Sequence, residues 1–193
     1  IRVLVGEERH VTVDRALRFL GLGARCLEPV EVDGDGAMDA RALARRLATH
    51  RGPTIVCAQA GNVNTGAVDP LGEICDASHE GAAWVHVDGA FGLWAAASPR
   101  HLHLLTGCER ADSWATDGHK WLNVPFDCGM AFVADRDAHR AAMAVSASYL
   151  QQGESVREPV DWTPEFSRRA RSLPVYAVLR HLGRDGVTEL VDR

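Results

Sequence analysis

Lysine is almost missing from this sequence. Of its 21 basic side chains, Lys120 alone is not arginine. Arginine replaces lysine as a solvated charge, but its guanidinium stays protonated and cannot form a Schiff base. Lys120 is therefore either an ordinary surface charge or a group kept for its amine. Closely paired cysteines are missing too. Cys26, Cys57, Cys75, Cys108 and Cys128 are widely spaced, with no Cys-x-x-Cys pair, which argues against a zinc ribbon or a disulfide framework and points to reduced thiols in a cytoplasmic protein. No apolar run approaches the roughly 18 residues of a membrane helix, so no membrane partner is expected. Basic charge is not in excess. A net charge of −5 without a basic stripe gives no footprint for nucleic acid. Neither a leader nor an initiator methionine is legible, and the chain opens on the strand-like run Ile1-Arg2-Val3-Leu4-Val5, as expected of a piece of a longer protein.

What is present reads as one α/β unit. The chain has 193 residues, 46% of them apolar, enough for a sizeable core. Strand and helix patterns alternate along it. Strands are expected over 1–5, 24–32, 54–60, 82–88, 111–116 and 129–133. Helices are expected over 12–22, from the Asp39 cap to residue 50, over 70–80, and from 174 to the end with a break at Gly183. Residues 151–165, with Pro159 and Pro164, read as an exposed loop. Such alternation predicts a three-layer sandwich with a mostly parallel sheet covered on both faces. Ligands of such sheets lie beyond the carboxyl ends of the strands, where Asn64, Asp88 and Lys120 all fall.

Those residue types suit one chemistry. A lysine amine can capture an aldehyde cofactor, and a carboxylate can keep a pyridine nitrogen protonated so that the ring accepts a carbanion's electrons. Asp88 is followed by Gly89 and Ala90, small enough for a flat ring to approach. Asp88 could instead cap a helix beginning near Gly89, and His10 could be a structural histidine or an acid–base group. No metal is expected. His101 and His103 are spaced so that their rings diverge on a helix, and the turn Asp33-Gly34-Asp35-Gly36 lacks the later ligands of a calcium loop. Arg168, Arg169 and Arg171 read as a solvated or interface face more than a carboxylate site.

The runs His86-Val87-Asp88-Gly89-Ala90, Ala111-Asp112-Ser113, His119-Lys120-Trp121 and Asp127-Cys128-Gly129 follow in an order and spacing that resembles the pyridoxal-phosphate-dependent group II amino-acid decarboxylases, the family of aromatic-amino-acid, histidine and glutamate decarboxylases. The resemblance spans essentially the whole chain. It implies the large domain of the aspartate aminotransferase fold type I, and decarboxylation of an L-amino acid to its amine and carbon dioxide, with pyridoxal 5'-phosphate as cofactor. By the same resemblance, Lys120 holds the cofactor covalently and Asp88 pairs with the ring nitrogen. Ala90 packs on one ring face and His10 on the other, near the reacting carbon, and His119 lies near the cofactor; Asn64 joins the expected cofactor contacts from its topology alone. Lys120, His10 and Asp88 are thus the expected catalytic residues.

Departures from the family pattern are equally legible. No Gly/Ser/Thr phosphate-binding turn precedes His10, and Asp117 stands where the family commonly has asparagine. The family's loop tyrosine finds no counterpart, Tyr149 and Tyr176 being the only tyrosines and Pro159 standing near its place. Residues 1–193 are accordingly expected to be a partial large domain, with an N-terminal segment and a C-terminal small domain outside it. The full-length protein is expected to be a homodimer, and the isolated stretch to be inactive and to bind cofactor weakly. Transamination, a retro-aldol cleavage, or a catalytically inactive interaction module are the alternatives. The substrate side chain is not readable.

Overall fold

The computed structural model describes residues 1–49, 52–145 and 157–193. Six strands form one sheet: β1 (Arg2–Gly6), β2 (Leu27–Val30), β3 (Thr54–Gln59), β4 (Trp84–Asp88), β5 (Ser113–Asp117) and β6 (Gly129–Val133). Their order is β2-β1-β3-β4-β5-β6; the first five are parallel and β6 runs antiparallel to β5. The helices are α1 (Thr12–Phe19), α2 (Ala40–Ala48), α3 (Leu71–Glu80), α4 (Arg136–Met143) and α5 (Ser172–Asp192).

Alternation along each strand sorts the two faces of the sheet. Leu4, Val56, Ala58, Val85 and Val87 point to one side and pack with Leu43 and Leu47 of α2 and Leu71 and Ile74 of α3 in the main core. Val3, Ile55, Cys57, Trp84 and His86 point to the other, towards Val13, Ala16 and Leu17 of α1. Helices thus lie on both faces, as the alternation of patterns implied. A smaller cluster joins Leu122, Val124 and Cys128 to Val187 of α5.

Local chemistry explains the element boundaries. Asp39 caps α2 by accepting the Arg41 and Ala42 N–H groups at 2.8 and 3.1 Å, an arrangement worth about 1 kcal/mol. The strand expected over 24–32 is shorter than its pattern, because Ala24–Cys26 winds into a 3-10 turn after Gly23. Pro29 is tolerated in β2 because that strand lies at the sheet edge, where a missing N–H breaks no ladder. The helix that ends the chain breaks at Gly183, as read from the sequence. Residues 146–156, including Tyr149 and the first part of the expected loop, lie outside the described residues. The remainder of that loop is partly buried: Asp161, 5% exposed, sits in a 3-10 turn and pairs with Arg140 at 3.2 Å. Among the described residues, no helix is long and apolar enough to cross a membrane.

Candidate active site

The chain leaves β1 for β2 on one side and returns to β3 on the other, so the strand order reverses at β1. Crevices form at such reversals, outside the carboxyl ends of the strands. Here a cavity of about 570 Å³ opens between α1 and the sheet, lined among others by His10, Asp88, Ala90, Phe91, Asp117 and Lys120. Its size suits a small cofactor with a substrate attached.

Asp88 is the last residue of β4, in register with Gln59 of β3 and Ala115 of β5. Its Oδ1 accepts the Ala90 N–H at 3.2 Å, closing a tight turn, and the residue lines the cavity. The 3-10 turn that follows starts after Phe91 and takes no side-chain cap, so Asp88 is not serving as a helix cap. Close packing behind this turn requires glycine. A Cβ on Gly92 would stand 2.0 Å from the Ala60 carbonyl oxygen.

Lys120 follows β5 in the turn leading back to β6. Its Nζ lies 3.0 Å from Asp117 Oδ2 and 5.5 Å from the centre of the Phe91 ring, which stacks on Trp121. His10, on the turn after β1, faces the cavity with Nδ1 engaged by the Thr12 hydroxyl at 2.8 Å, leaving Nε2 available. Lys120, Asp88, Ala90 and His10 are therefore brought together.

The other two expected contacts are placed differently. The His119 Nδ1 is held by the Cys128 backbone N–H at 3.0 Å, and its ring meets Phe126 edge-on at 4.6 Å. It is not among the residues lining the cavity, which it adjoins through Asp117, 3.8 Å from Nε2. Asn64 is exposed and lies off the cavity wall. Asn62 Oδ1 accepts the Asn64 and Thr65 N–H groups, curling the loop so that Gly61 and Val63 line the cavity in its place. His101 is drawn to Asp192, 3.6 Å away, and among the described residues no group of side chains forms a metal site.

Three lining residues escaped the reading of the sequence. His86 and Ser113 form a polar row with Cys57 beside Asp88, and Phe91 flanks the lysine. The signal for His86 was its spacing of two from Asp88, which on a strand means the same face. Cys57 is part of the cavity wall. Burial, reinforced by the Asp88 charge, pushes its thiol up to about 12, so it is an inert neutral group. Burial also lowers the His86 imidazole, with Asp88 pulling in the opposite sense.

The pyridoxal-dependent decarboxylase conserved domain matches residues 2–193. L-2,4-diaminobutyrate decarboxylase of Rhizobium meliloti is 34% identical over 98% of this chain and 39% of its own length. The aromatic-L-amino-acid decarboxylase of Bacillus atrophaeus is 30% identical over 98% of the chain and 41% of its own. Among solved structures, mouse CSAD superposes with a TM-score of 0.92 at 28% identity, covering 100% of this chain and 41% of that one. Oryza sativa TDC with PLP and tryptamine gives 0.90 at 30% identity, covering 97% and 40%. The chain thus spans roughly two fifths of the length of these relatives.

Proposed function

We propose, because the chain belongs to the pyridoxal-dependent decarboxylase family, that it forms part of a pyridoxal-phosphate-dependent enzyme that removes the carboxylate of an L-amino acid as carbon dioxide and leaves the amine. The observation that carries this reading is the convergence of Lys120, Asp88, Ala90 and His10 on one cavity at the strand ends. The residues fit the cofactor. Lys120 offers the only lysine amine in the sequence, Asp88 has one carboxylate oxygen without a hydrogen bond among the described residues, and Ala90 leaves room for a flat ring.

The bound cofactor supplies an electron sink for the pair left behind when carbon dioxide departs. The protein does the rest. Lys120 would hold the cofactor aldehyde through its amine, the side chain here that can form an imine. Asp88 holds a proton on the ring nitrogen, where negative charge would otherwise accumulate. Ala90 and His10, which line the same cavity, would pack against the cofactor ring, and the His10 imidazole would be the acid–base group nearest the reacting centre.

Residues 1–193 are read as part of a cofactor-binding large domain, in keeping with their share of the relatives' length. The reading includes a homodimer, supported by the exposed apolar Val11 and Phe19 on and beside α1, and a cytoplasmic location, supported by five unpaired cysteines. The deciding experiment uses full-length protein. Borohydride should fix pyridoxal phosphate to the wild type and not to Lys120→Ala, and a panel of L-amino acids should include one that releases carbon dioxide with its amine. Continued trapping in Lys120→Ala, or keto-acid product without carbon dioxide, would refute the reading.

A further inference from the structure

The polar row beside Asp88 takes no part in the mechanism above, yet its members are connected. His86 lies two residues before Asp88 on the same face of β4, and both line the cavity. Its register partner on β5 is Ser113. The Ser113 hydroxyl oxygen accepts the Trp84 indole N–H at 2.8 Å and stands 2.9 Å from His86 Nδ1. An indole nitrogen only donates, so the direction of the first bond is fixed. Ser113 is 9% exposed, and among the described residues His86 Nδ1 is the acceptor its hydroxyl hydrogen reaches. A buried hydroxyl hydrogen without an acceptor is unfavourable, so Nδ1 accepts and the ring proton resides on Nε2. Burial favours the uncharged ring, against the weaker pull of Asp88. Among the described residues, Nε2 has no hydrogen-bond partner of its own, and the neighbouring Cys57 thiol is neutral.

We infer that Trp84 and Ser113 lock His86 as the neutral Nε2–H tautomer, which presents a donor beside Asp88 and makes His86 a positioning residue for that carboxylate. The inference rests on the assignment of Asp88 to the ring nitrogen of the cofactor. A neutral donor suits the place. An imidazolium would compete with the cofactor ring for the carboxylate's charge, and the other tautomer would face the carboxylate with a lone pair. The Ala90 N–H already restrains Asp88 Oδ1 from one side at 3.2 Å. The Nε2–H of His86, on the same face two residues along the strand, adds a second neutral dipole whose field favours the ionised carboxylate, leaving an oxygen for the ring nitrogen.

The test uses the full-length protein in two stages. In the first, without cofactor, proton–nitrogen correlation spectra of isotope-labelled histidine report which ring nitrogen is protonated, with His86 assigned by its loss in His86→Gln. The wild type should show Nε2–H, Ser113→Ala a mixture of tautomers, and Ser113→Thr a return to Nε2–H. Trp84→Phe, which removes the indole donor, serves in place of Ser113→Ala should that variant not fold, and is expected to loosen the tautomer likewise. A wild-type ring protonated on Nδ1, or one unmoved by loss of the hydroxyl, overturns the relay. In the second stage pyridoxal phosphate is titrated into each variant. Ser113→Ala should bind about tenfold more weakly with a displaced visible band, and Ser113→Thr within about threefold of wild type. A changed tautomer with unchanged band and affinity overturns the positioning role. Asp88→Asn separates the two levels. If it alters band and affinity while Ser113→Ala does not, His86 alone is misassigned; if Asp88→Asn alters neither, the assignment of Asp88 itself fails.

Discussion

Lys120 and Asp117 form an ion pair across one turn, with Nζ 3.0 Å from Oδ2 and the Phe91 ring on a further flank of the amine. Asp117 thereby places negative charge in the same cavity that would receive an anionic cofactor. Asp117→Asn should keep a hydrogen-bonding group beside Lys120 while removing that charge. The expected result is about fivefold tighter binding of pyridoxal phosphate, with little change in melting temperature because half-exposed pairs contribute little to stability. An absorbance titration checks it. Weaker binding in the variant would show that Asp117 turns away from the cofactor and serves the lysine instead.

Asp88→Asn separates holding the cofactor from using it. Lys120 is untouched, so borohydride trapping should persist, whereas on the proposed assignment the ring nitrogen would lose the anion that keeps it protonated. Turnover of the full-length protein should fall by about a hundredfold or more, the usual scale for removing one electrostatic partner of a reacting group. Steady-state rates set beside the trapped fraction decide the matter. Turnover within about threefold of wild type would remove Asp88 from its role.

The core-facing half of this fold was legible because its signal is local. Buried strands such as β3 and β4 read as apolar runs, and Asp39 and Gly183 mark a helix start and a break by backbone chemistry alone. Lys120 and Asp88 could be singled out for a different reason, since few residue types suit the chemistry proposed for them, and the structure lines one cavity with both. The direction of Asn64 was not legible: strand order puts that loop at the cavity, but the Asn62 turn decides which of its residues line it. His86 and Ser113 were missed because their partnership exists only through the register of β4 on β5, which no stretch of sequence displays. Phe91 is similar, its place beneath Lys120 being set by packing against Gly61.

Asp69 should give the stability of the chain a pH dependence on the acid side of neutrality. Its carboxylate is buried, accepts the Met38 and Gln59 N–H groups at 2.8 and 2.7 Å, and is pushed up to about 6, chiefly by desolvation. In the unfolded chain it titrates near 3.9. The folded state therefore binds the proton more tightly, so this contribution favours folding at low pH and is lost as pH rises from about 4 to about 6, a change on the order of 2–3 kcal/mol. Asp69→Asn cannot titrate, and its amide leaves one of the two N–H donors unmatched, at about 1–3 kcal/mol. In denaturant titrations the wild type's advantage over Asp69→Asn should thus be largest near pH 4 and narrow towards pH 7. An advantage independent of pH would show that the carboxylate is better solvated than its burial implies.

Gly61 and Gly66 offer a controlled pair in one loop. Both have left-handed backbones, with φ of 98° and 77°, so alanine at either position carries a conformational penalty of about 1–2 kcal/mol. Their surroundings differ. A Cβ on Gly66 meets nothing within 4 Å, whereas one on Gly61 would stand 2.8 Å from Phe91 Cε2. Phe91 cannot simply swing aside, because its ring lies between Gly61, the stacked Trp121 and the Lys120 amine. Gly61→Ala should therefore cost a further 1–3 kcal/mol or so of overpacking and displace the ring that flanks Lys120. Chemical denaturation of both variants gives the stability difference, and the rate of borohydride-trappable cofactor capture gives the local one. Capture should slow in Gly61→Ala and stay at the wild-type rate in Gly66→Ala. Equal slowing in both would mean that the loop backbone, and not the Phe91 ring, sets the position of the lysine.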